Sequence, residues 1–325
     1  MPSETISIAL CTYNGARYLD EQLRSIAVQT RLPDEVILCD DGSTDNTLQV
    51  AEDFARDVPF RVNITSNTQR LGSTKNFERA IRLCRGSLIF LCDQDDIWLP
   101  HKLETLEAIF ENQPELDAAF TNASIVDDRL NDLGYDLWTS IGFSKRERQA
   151  IETNGAFQVL LRHNVATGAT MVFRSRWLEI VLPICEWGVH DAWIALLIAA
   201  MGNIRPVEAS LILYRQHEGS QIGARRRGTI DRIRHARQTS TSHTLHALRQ
   251  IEAAIARIAA ANPPPHGKTA EELEAKRRHL EVRLRLINRI PGGMRDAFAD
   301  LAAGRYHRYS MGWRSLAHDV IKITA

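Results

Sequence analysis

Three carboxylates stand within four positions at Asp93-Gln94-Asp95-Asp96, directly after the apolar run Leu88-Ile89-Phe90-Leu91-Cys92. Acids at that spacing repel one another unless a cation sits among them. Hard oxygen ligands suit Mg²⁺ or Mn²⁺, such as an ion held against a diphosphate. A solvated acidic turn is the competing reading of any single D-x-D. Two further clusters weigh against it: Asp40-Asp41-Gly42-Ser43-Thr44-Asp45 closes the run Val36-Ile37-Leu38-Cys39, and His190-Asp191 opens the apolar stretch that follows. Three acidic clusters in the same kind of setting point to one site rather than three unrelated turns.

Each cluster also has a plainer explanation. Asp, Ser and Thr between a strand and a helix can simply cap the helix. That leaves Asp41 unexplained, because a carboxylate at a strand end can accept hydrogen bonds from a nucleobase imide or a ribose hydroxyl. Asp191 at a helix start can be a partner of the helix dipole. Lys75 is either an exposed lysine or a diphosphate contact, and His217, in Tyr214-Arg215-Gln216-His217, is either structural or a ligand of metal or diphosphate. Neither G-x-G-x-x-G nor G-x-x-x-x-G-K-[ST] occurs, which excludes the usual dinucleotide and P-loop sites.

The elements that must position these residues follow from periodicity. Residues 6–11, 35–39, 61–66 and 87–92 read as strands, separated by helices at about 17–29, 44–54 (capped by Thr44 or Asp45) and 76–85. Such alternation gives an α/β fold with right-handed crossovers and a mostly parallel sheet, whose ligands gather beyond the carboxyl ends of the strands. A helix to about Asn112 and a strand at 118–121 follow, then an irregular stretch over 122–163. Residues 166–174 are expected as a strand, with Gly168 allowing close backbone approach, 190–201 as an apolar helix and 210–216 as a last strand. Beyond Gly223, helices are expected to Ala261 and from Thr269 to Arg289, the latter opened by a Thr269/Glu272 capping box. The domain boundary therefore falls between 1–223 and a helical, basic 224–325.

The ordered set Cys11-Thr12-Tyr13-Asn14, Asp40-Asp41-Gly42-Ser43-Thr44-Asp45, Gly72-Ser73-Thr74-Lys75-Asn76 and Asp93-Gln94-Asp95-Asp96 resembles family 2 glycosyltransferases of the GT-A fold, over about residues 5–220. The resemblance implies an inverting, metal-dependent transfer from a nucleotide-diphosphate sugar. Asp41 would meet the base, Tyr13 with Asn14 the nucleoside, Asp93 and Asp95 the ribose, diphosphate and metal, and Lys75 the diphosphate. Asp191 matches the position of the general base. Where many members carry Glu before that Asp, this chain has His190. The segment around Tyr214-Arg215-Gln216-His217 is similar to rhamnosyltransferase-like bacterial members. That resemblance implies a dTDP- or UDP-sugar, with dTDP-rhamnose as one donor, and a role for His217 as a metal ligand or a diphosphate contact. The Gln-x-x-Arg-Trp signature of processive members is missing, so a single sugar added to a glycan or lipid-linked acceptor of a surface polysaccharide such as O-antigen is expected. A nucleotidyltransferase-type enzyme is the alternative, but its glycine-rich triphosphate loop is replaced here by Thr12-Tyr13-Asn14-Gly15-Ala16-Arg17.

Composition agrees with a cytoplasmic enzyme. No apolar run reaches ~18 residues, the first residues do not form a signal peptide, and five cysteines without paired spacing read as reduced core residues. The formal net charge is zero, yet residues 222–325 hold 20 Lys and Arg against 9 Asp and Glu. A basic appendage of this kind fits peripheral membrane contact, or packing and homo-oligomerisation. Nucleic acid is not expected, because no zinc, helix-turn-helix or RNP signature accompanies the charge. Of the tryptophans, Trp98, Trp138 and Trp193 read as core, and Trp187 is a candidate sugar contact.

Overall fold

Strands that are apolar on both faces belong inside a sheet covered on both sides, and Ile6–Thr12 (β1), Glu35–Asp40 (β2) and Leu88–Asp93 (β4) are buried almost throughout. In the computed structural model, which describes residues 4–217, 242–261 and 267–324, these three are parallel neighbours, and the half-exposed Arg61–Ser66 (β3) forms the edge beside β2. Helices Ala16–Ala27 (α1), Thr47–Asp57 (α2) and Ser73–Leu83 (α3) make the connections. Cys11 lies opposite both Cys39 and Asp93, and Thr12 opposite Asp40. The three central strands therefore end level, and the residues after them emerge along one edge.

Beyond β4 the sheet is mixed. Ile97–Trp98 (β5), Lys102–Asn112 (α4), Ala118–Val126 (β6), Asp132–Asp136 (β7), Met171–Arg174 (β8) and Ile204–Arg215 (β9) complete a strand order of β3-β2-β1-β4-β8-β6-β9-β5, with β7 beside β6. β8 is antiparallel to β4 and β6, whereas β9 runs parallel to β6. The end of β9 is thereby carried to the acidic turn after β4, where the Arg215 amide donates to Asp96 Oδ1 at 3.1 Å and its Nε to the Asp95 carbonyl at 2.8 Å.

Several sequence expectations need correction. Residues 122–163 are not irregular: β6 continues to Val126, and β7 and the short helices Leu137–Ile141 (α5), Lys145–Ala150 (α6) and Ala156–Arg162 (α7) follow. Polar Thr121, Asn122 and Ser124 hide the strand's periodicity, and Asn122 satisfies itself by accepting from the Ala123 and Trp138 amides. Residues Gly168–Thr170 form a 3₁₀ turn rather than a strand, closed by Thr170 donating from N and Oγ1 to the Thr167 carbonyl. Helix α2 begins at Thr47, not at Thr44 or Asp45, because Thr44 is tied to Asn14 instead.

Helices Leu178–Val181 (α8) and His190–Met201 (α9) precede β9. The C-terminal region contributes Ser242–Ala259 (α10), Thr269–Ile287 (α11), Gly293–Ala302 (α12), Arg305–Tyr309 (α13) and Trp313–Thr324 (α14). Leu248, Ile251, Ala254, Leu273 and Leu280 join the core of the sheet, while Leu286, Ala297, Tyr306 and Leu316 form a small second core. The Thr269/Glu272 capping box does not form. Thr269 Oγ1 donates to the Ala200 carbonyl at 3.3 Å, and Glu272 accepts from Tyr309 Oη at 2.9 Å, so tertiary partners displace the local ones. Gly219-Ser220-Gln221, Arg225-Arg226-Arg227, the proline triplet 263–265 and the 223/224 boundary lie outside the described residues. Among the described residues no helix is long and apolar enough to cross a membrane.

Candidate functional site

The level strand ends frame a cleft of about 840 Å³. Asp40 is spent on the turn itself, accepting from Thr12 Oγ1 and the amides of Gly42 and Ser43 at 2.8–3.1 Å. Asp41 closes the next wall: Oδ1 accepts from the Leu71 amide at 2.7 Å and Asn67 Nδ2 at 2.8 Å, and Oδ2 accepts from the Gly72 amide at 2.8 Å. Three of its four lone pairs are thereby used. Gly72 adopts φ +82°, a left-handed conformation that a Cβ disfavours, in presenting its amide there.

Tyr13 follows β1 and carries the Arg70 guanidinium 3.9 Å from its ring centre. Gln94, from the middle of the acidic turn, grips the Tyr13 backbone at both ends, accepting from its amide at 2.8 Å and donating to its carbonyl at 3.2 Å. A Cβ at Gly15 would collide with that same amide group. Asn14 is used differently. Its Oδ1 accepts from the Thr44 amide at 2.8 Å, and the residue stands apart from the cleft lining.

Asp93, Asp95 and Asp96 gather where β4 ends. Burial, followed by the negative charges of Asp95 and Asp191, pushes the Asp93 carboxyl up to about 7. Burial together with Asp95 and Asp93 raises Asp96 well above the usual carboxylate range, and its Oδ2 has no hydrogen-bond partner among the described residues. His217 Nε2 lies 2.8 Å from Asp95 Oδ2, and its ring packs on Tyr18 with centroids 4.6 Å apart. Among the described residues no three His, Cys, Asp or Glu side chains form a ready-made metal cage. The donor chemistry nevertheless fits a hard divalent ion: oxygen ligands from Asp93 and Asp95 with one imidazole, in a place where negative charge lacks compensation. Lys102 sits fully buried beneath the cluster. Its Nζ donates to the Ala169 carbonyl at 3.0 Å, lies 3.5 Å from the centre of the Trp98 ring, and burial pulls its pKa down to about 7.

Asp191, in the first turn of α9, is held from two sides. Asn164 Nδ2 donates to Oδ1 at 3.1 Å and the Gly168 amide to Oδ2 at 2.8 Å. A Cβ on Gly168 would stand 2.8 Å from His190 Nε2 and 3.5 Å from Asp191 Oδ2, so only glycine lets this backbone come so close. His190 stacks on Phe77 with centroids 3.9 Å apart, and its buried Nε2 has no hydrogen-bond partner among the described residues. Burial lowers its pKa, keeping the ring neutral beside Asp191. Lys75 lines the same cleft but is engaged by Glu78 at 2.9 Å and the Ile184 carbonyl at 3.2 Å.

At the mouth, the loop before α9 is clamped from opposite sides. Thr74 Oγ1 donates to the Gly188 carbonyl at 3.2 Å, and Gln250 of α10 packs so closely on Gly188 that a Cβ there would meet its Nε2 at 2.6 Å. Trp187 is left 42% exposed, with the His246 ring beside it at 5.4 Å. Trp98, Trp138 and Trp193 are core.

Seven sequence-predicted residues thus share one cleft: Tyr13, Asp41, Lys75, Asp93, Asp95, Asp191 and His217. The profile of glycosyl transferase family 2 matches residues 7–178, more than half of the chain. The chain belongs to glycosyltransferase family 2. A dTDP-rhamnosyl transferase, RfbG, of Shigella flexneri is 38% identical over 229 residues, covering 66% of this chain and 74% of that protein. An uncharacterized glycosyltransferase of Nostoc is 28% identical over 218 residues, and the match spans only 65% of that relative's length. Among solved structures, Staphylococcus aureus TarS 1–349 in complex with UDP-GlcNAc aligns with a TM-score of 0.59 at 17% identity, covering 94% of this chain and 81% of that one. A mannosyltransferase from Pyrobaculum calidifontis in complex with GDP-Man and Mn²⁺ aligns at 0.53 and 21%, covering 93% and 75%. At these identities the two structures speak for the GT-A fold alone.

Sequence reasoning missed four features of this family 2 site. Arg70 over Tyr13, buried Lys102 and the Asn164 contact to Asp191 come from residues outside every motif, and Gly168, expected to allow a close backbone approach, makes that approach to Asp191. Trp187 is expected from the sequence as a sugar contact, whereas the His246 ring beside it comes from α10, beyond the matched region.

Proposed function

We propose that the chain transfers one sugar, with inversion, from a nucleotide-diphosphate donor to a hydroxyl of a glycan or lipid-linked glycan at the cytoplasmic side of a membrane, in surface polysaccharide assembly. The observation that carries this reading is the convergence on one cleft of Asp191, held by Asn164 and Gly168, with the Asp93, Asp95 and His217 group. The dTDP-rhamnosyl transferase at 38% identity supports dTDP-rhamnose as the donor.

In this reading Tyr13, backed by Arg70, stacks on the nucleoside and Asp41 Oδ2 meets the base with its remaining lone pair. The acceptor hydroxyl lies against Asp191. Two of the carboxylate's oxygen sites already receive hydrogen bonds from Asn164 and Gly168, which fixes its orientation, and Oδ2 takes the hydroxyl proton as the new bond forms. The acceptor oxygen attacks the anomeric carbon while the bond from that carbon to the diphosphate oxygen breaks, and the electron pair leaves with the nucleoside diphosphate. A single displacement of this kind inverts the anomeric centre. Asp93, Asp95 and His217 would hold Mg²⁺ or Mn²⁺, which when bound offsets the charge on the departing diphosphate. The Pyrobaculum neighbour in complex with GDP-Man and Mn²⁺ supports a divalent ion.

A thermal-shift screen of dTDP- and UDP-sugars with and without Mn²⁺ tests the donor. The expected result is a rise in Tm with dTDP-rhamnose that requires the ion, and a screen with no response to any nucleotide sugar overturns the reading. For the base, Asp191→Asn is expected to lower kcat/KM for transfer about a thousandfold while preserving donor binding. Full activity in that variant removes Asp191 from its role.

A further inference from the structure

The surface of the C-terminal helices carries an arrangement that the cleft does not use. Helix α12 packs inward through Gly293, Ala297 and Asp300, which are buried. Its other side leaves Met294 43% and Phe298 53% exposed, one helical turn apart, with Ile290 just before the helix 45% exposed. Past α13, Met311 and Trp313 are also exposed. Soluble surfaces carry single apolar residues freely, but Met294 and Phe298 one turn apart with Ile290 just before the helix make a patch that calls for a partner.

The charges around them say which partner. Residues 288–314 hold five arginines, at 289, 295, 305, 308 and 314, against two aspartates. Asp300 is buried and bound to His279 and Arg305, Asp296 is paired with Arg285 and Arg295, and Arg308 is paired with Glu272 of α11. With these partners included, six arginines face three acids, so the charge beside the apolar side chains is positive on balance. Two copies of such a face would bring like charges together, so self-association is opposed. An anionic bilayer satisfies both halves of the pattern, taking the apolar side chains into its headgroup–acyl boundary and the guanidinium groups onto its phosphates.

We propose that the α12 face, through Met294 and Phe298 with the flanking Ile290 and arginines, docks on an anionic lipid bilayer. Docking here would hold the enzyme at the membrane where a lipid-linked acceptor resides. That purpose rests on the proposed function, but the docking itself does not, because vesicle binding needs no turnover.

Full-length protein is sedimented with vesicles of phosphatidylcholine alone and with vesicles containing phosphatidylglycerol, at low and high salt. The expected result is binding to the anionic vesicles only, weakened by salt, and reduced at least fivefold in Met294→Glu/Phe298→Glu. Phe298→Leu should bind as wild type does, and an unchanged Tm in all variants separates lost docking from lost folding. No binding of the wild type to anionic vesicles at low salt overturns the proposal, as does equal binding by the double variant. A homodimer that the double variant dissociates, with no vesicle binding by either form, assigns the face to a second copy instead.

Discussion

The acidic turn after β4 and the C-terminal helices both bury carboxylates, and they treat them oppositely. In the helices, Asp319 is fully buried but receives both Arg283 Nε at 2.7 Å and Nη2 at 2.8 Å, with Tyr306 Oη at 3.3 Å. Burial works to raise its pKa, but the Arg283 and His318 interactions hold it below the usual carboxylate range. In the cleft, Asp93 is pushed up to about 7 and Asp96 keeps one oxygen without a partner among the described residues. A buried charge that is matched fixes the packing of helices. One that is left unmatched stores a demand that a bound cation can meet.

Breaking the matched pair should have the largest effect on stability. Asp319→Ala strands the Arg283 guanidinium and is expected to destabilise the protein by about 3–5 kcal/mol in denaturant titration. A change below about 1 kcal/mol would mean that the pair contributes little and the contrast with the cleft fails.

His279 tests the same region through pH. Its Nδ1 bonds Asp300 at 2.8 Å and its Nε2 bonds Ser310 Oγ at 2.8 Å. Burial, opposed by Asp300 and aided by Lys276 and Arg283, pulls its pKa down to about 4. The unfolded chain, at about 6.5, takes up the proton first as pH falls. Stability should therefore drop between pH 6.5 and 4, by about 2–3 kcal/mol, and His279→Gln should flatten this part of the profile. An unchanged profile in that variant would show that another group governs it.

The acceptor side gives a smaller, more selective effect. Trp187→Ala is expected to raise the acceptor KM about tenfold, roughly 1.4 kcal/mol, with kcat and the dissociation constant of the donor little altered. A change in donor affinity instead would place Trp187 on the other side of the reaction. The smallest expected effect runs against the usual direction for a buried substitution. Asp93→Asn, in metal-free protein, should raise stability by about 1 kcal/mol because it removes a buried, repelled charge, while transfer is lost. Loss of stability would show that Asp93 is matched after all.

Much of this was legible in the chain. The runs Ile6–Thr12 and Leu88–Asp93 carry their strand character in apolar side chains, and acids that follow a strand in an alternating α/β pattern fall on one edge whatever the details. The α5–α7 segment was not legible, because the polar residues of β6 obscure a two-residue period and its helices are too short to show a 3.6-residue one. Asn14 matched its motif, yet its side chain is used to tie two loops together.

Residue types and their spacing were enough for the class of fold, the family, and the placing of Asp41, Asp93, Asp95 and Asp191 at the ends or starts of buried elements. These are local properties of type and spacing. Folding in three dimensions settles which acids are paired and which are frustrated, that Gly168 and Asn164 hold Asp191, that Lys102 lies beneath the acidic turn, and that His246 stands beside Trp187 at the mouth. Each of those depends on segments far apart in the chain meeting at hydrogen-bond or van der Waals distance, and no pattern within a single segment encodes such a meeting.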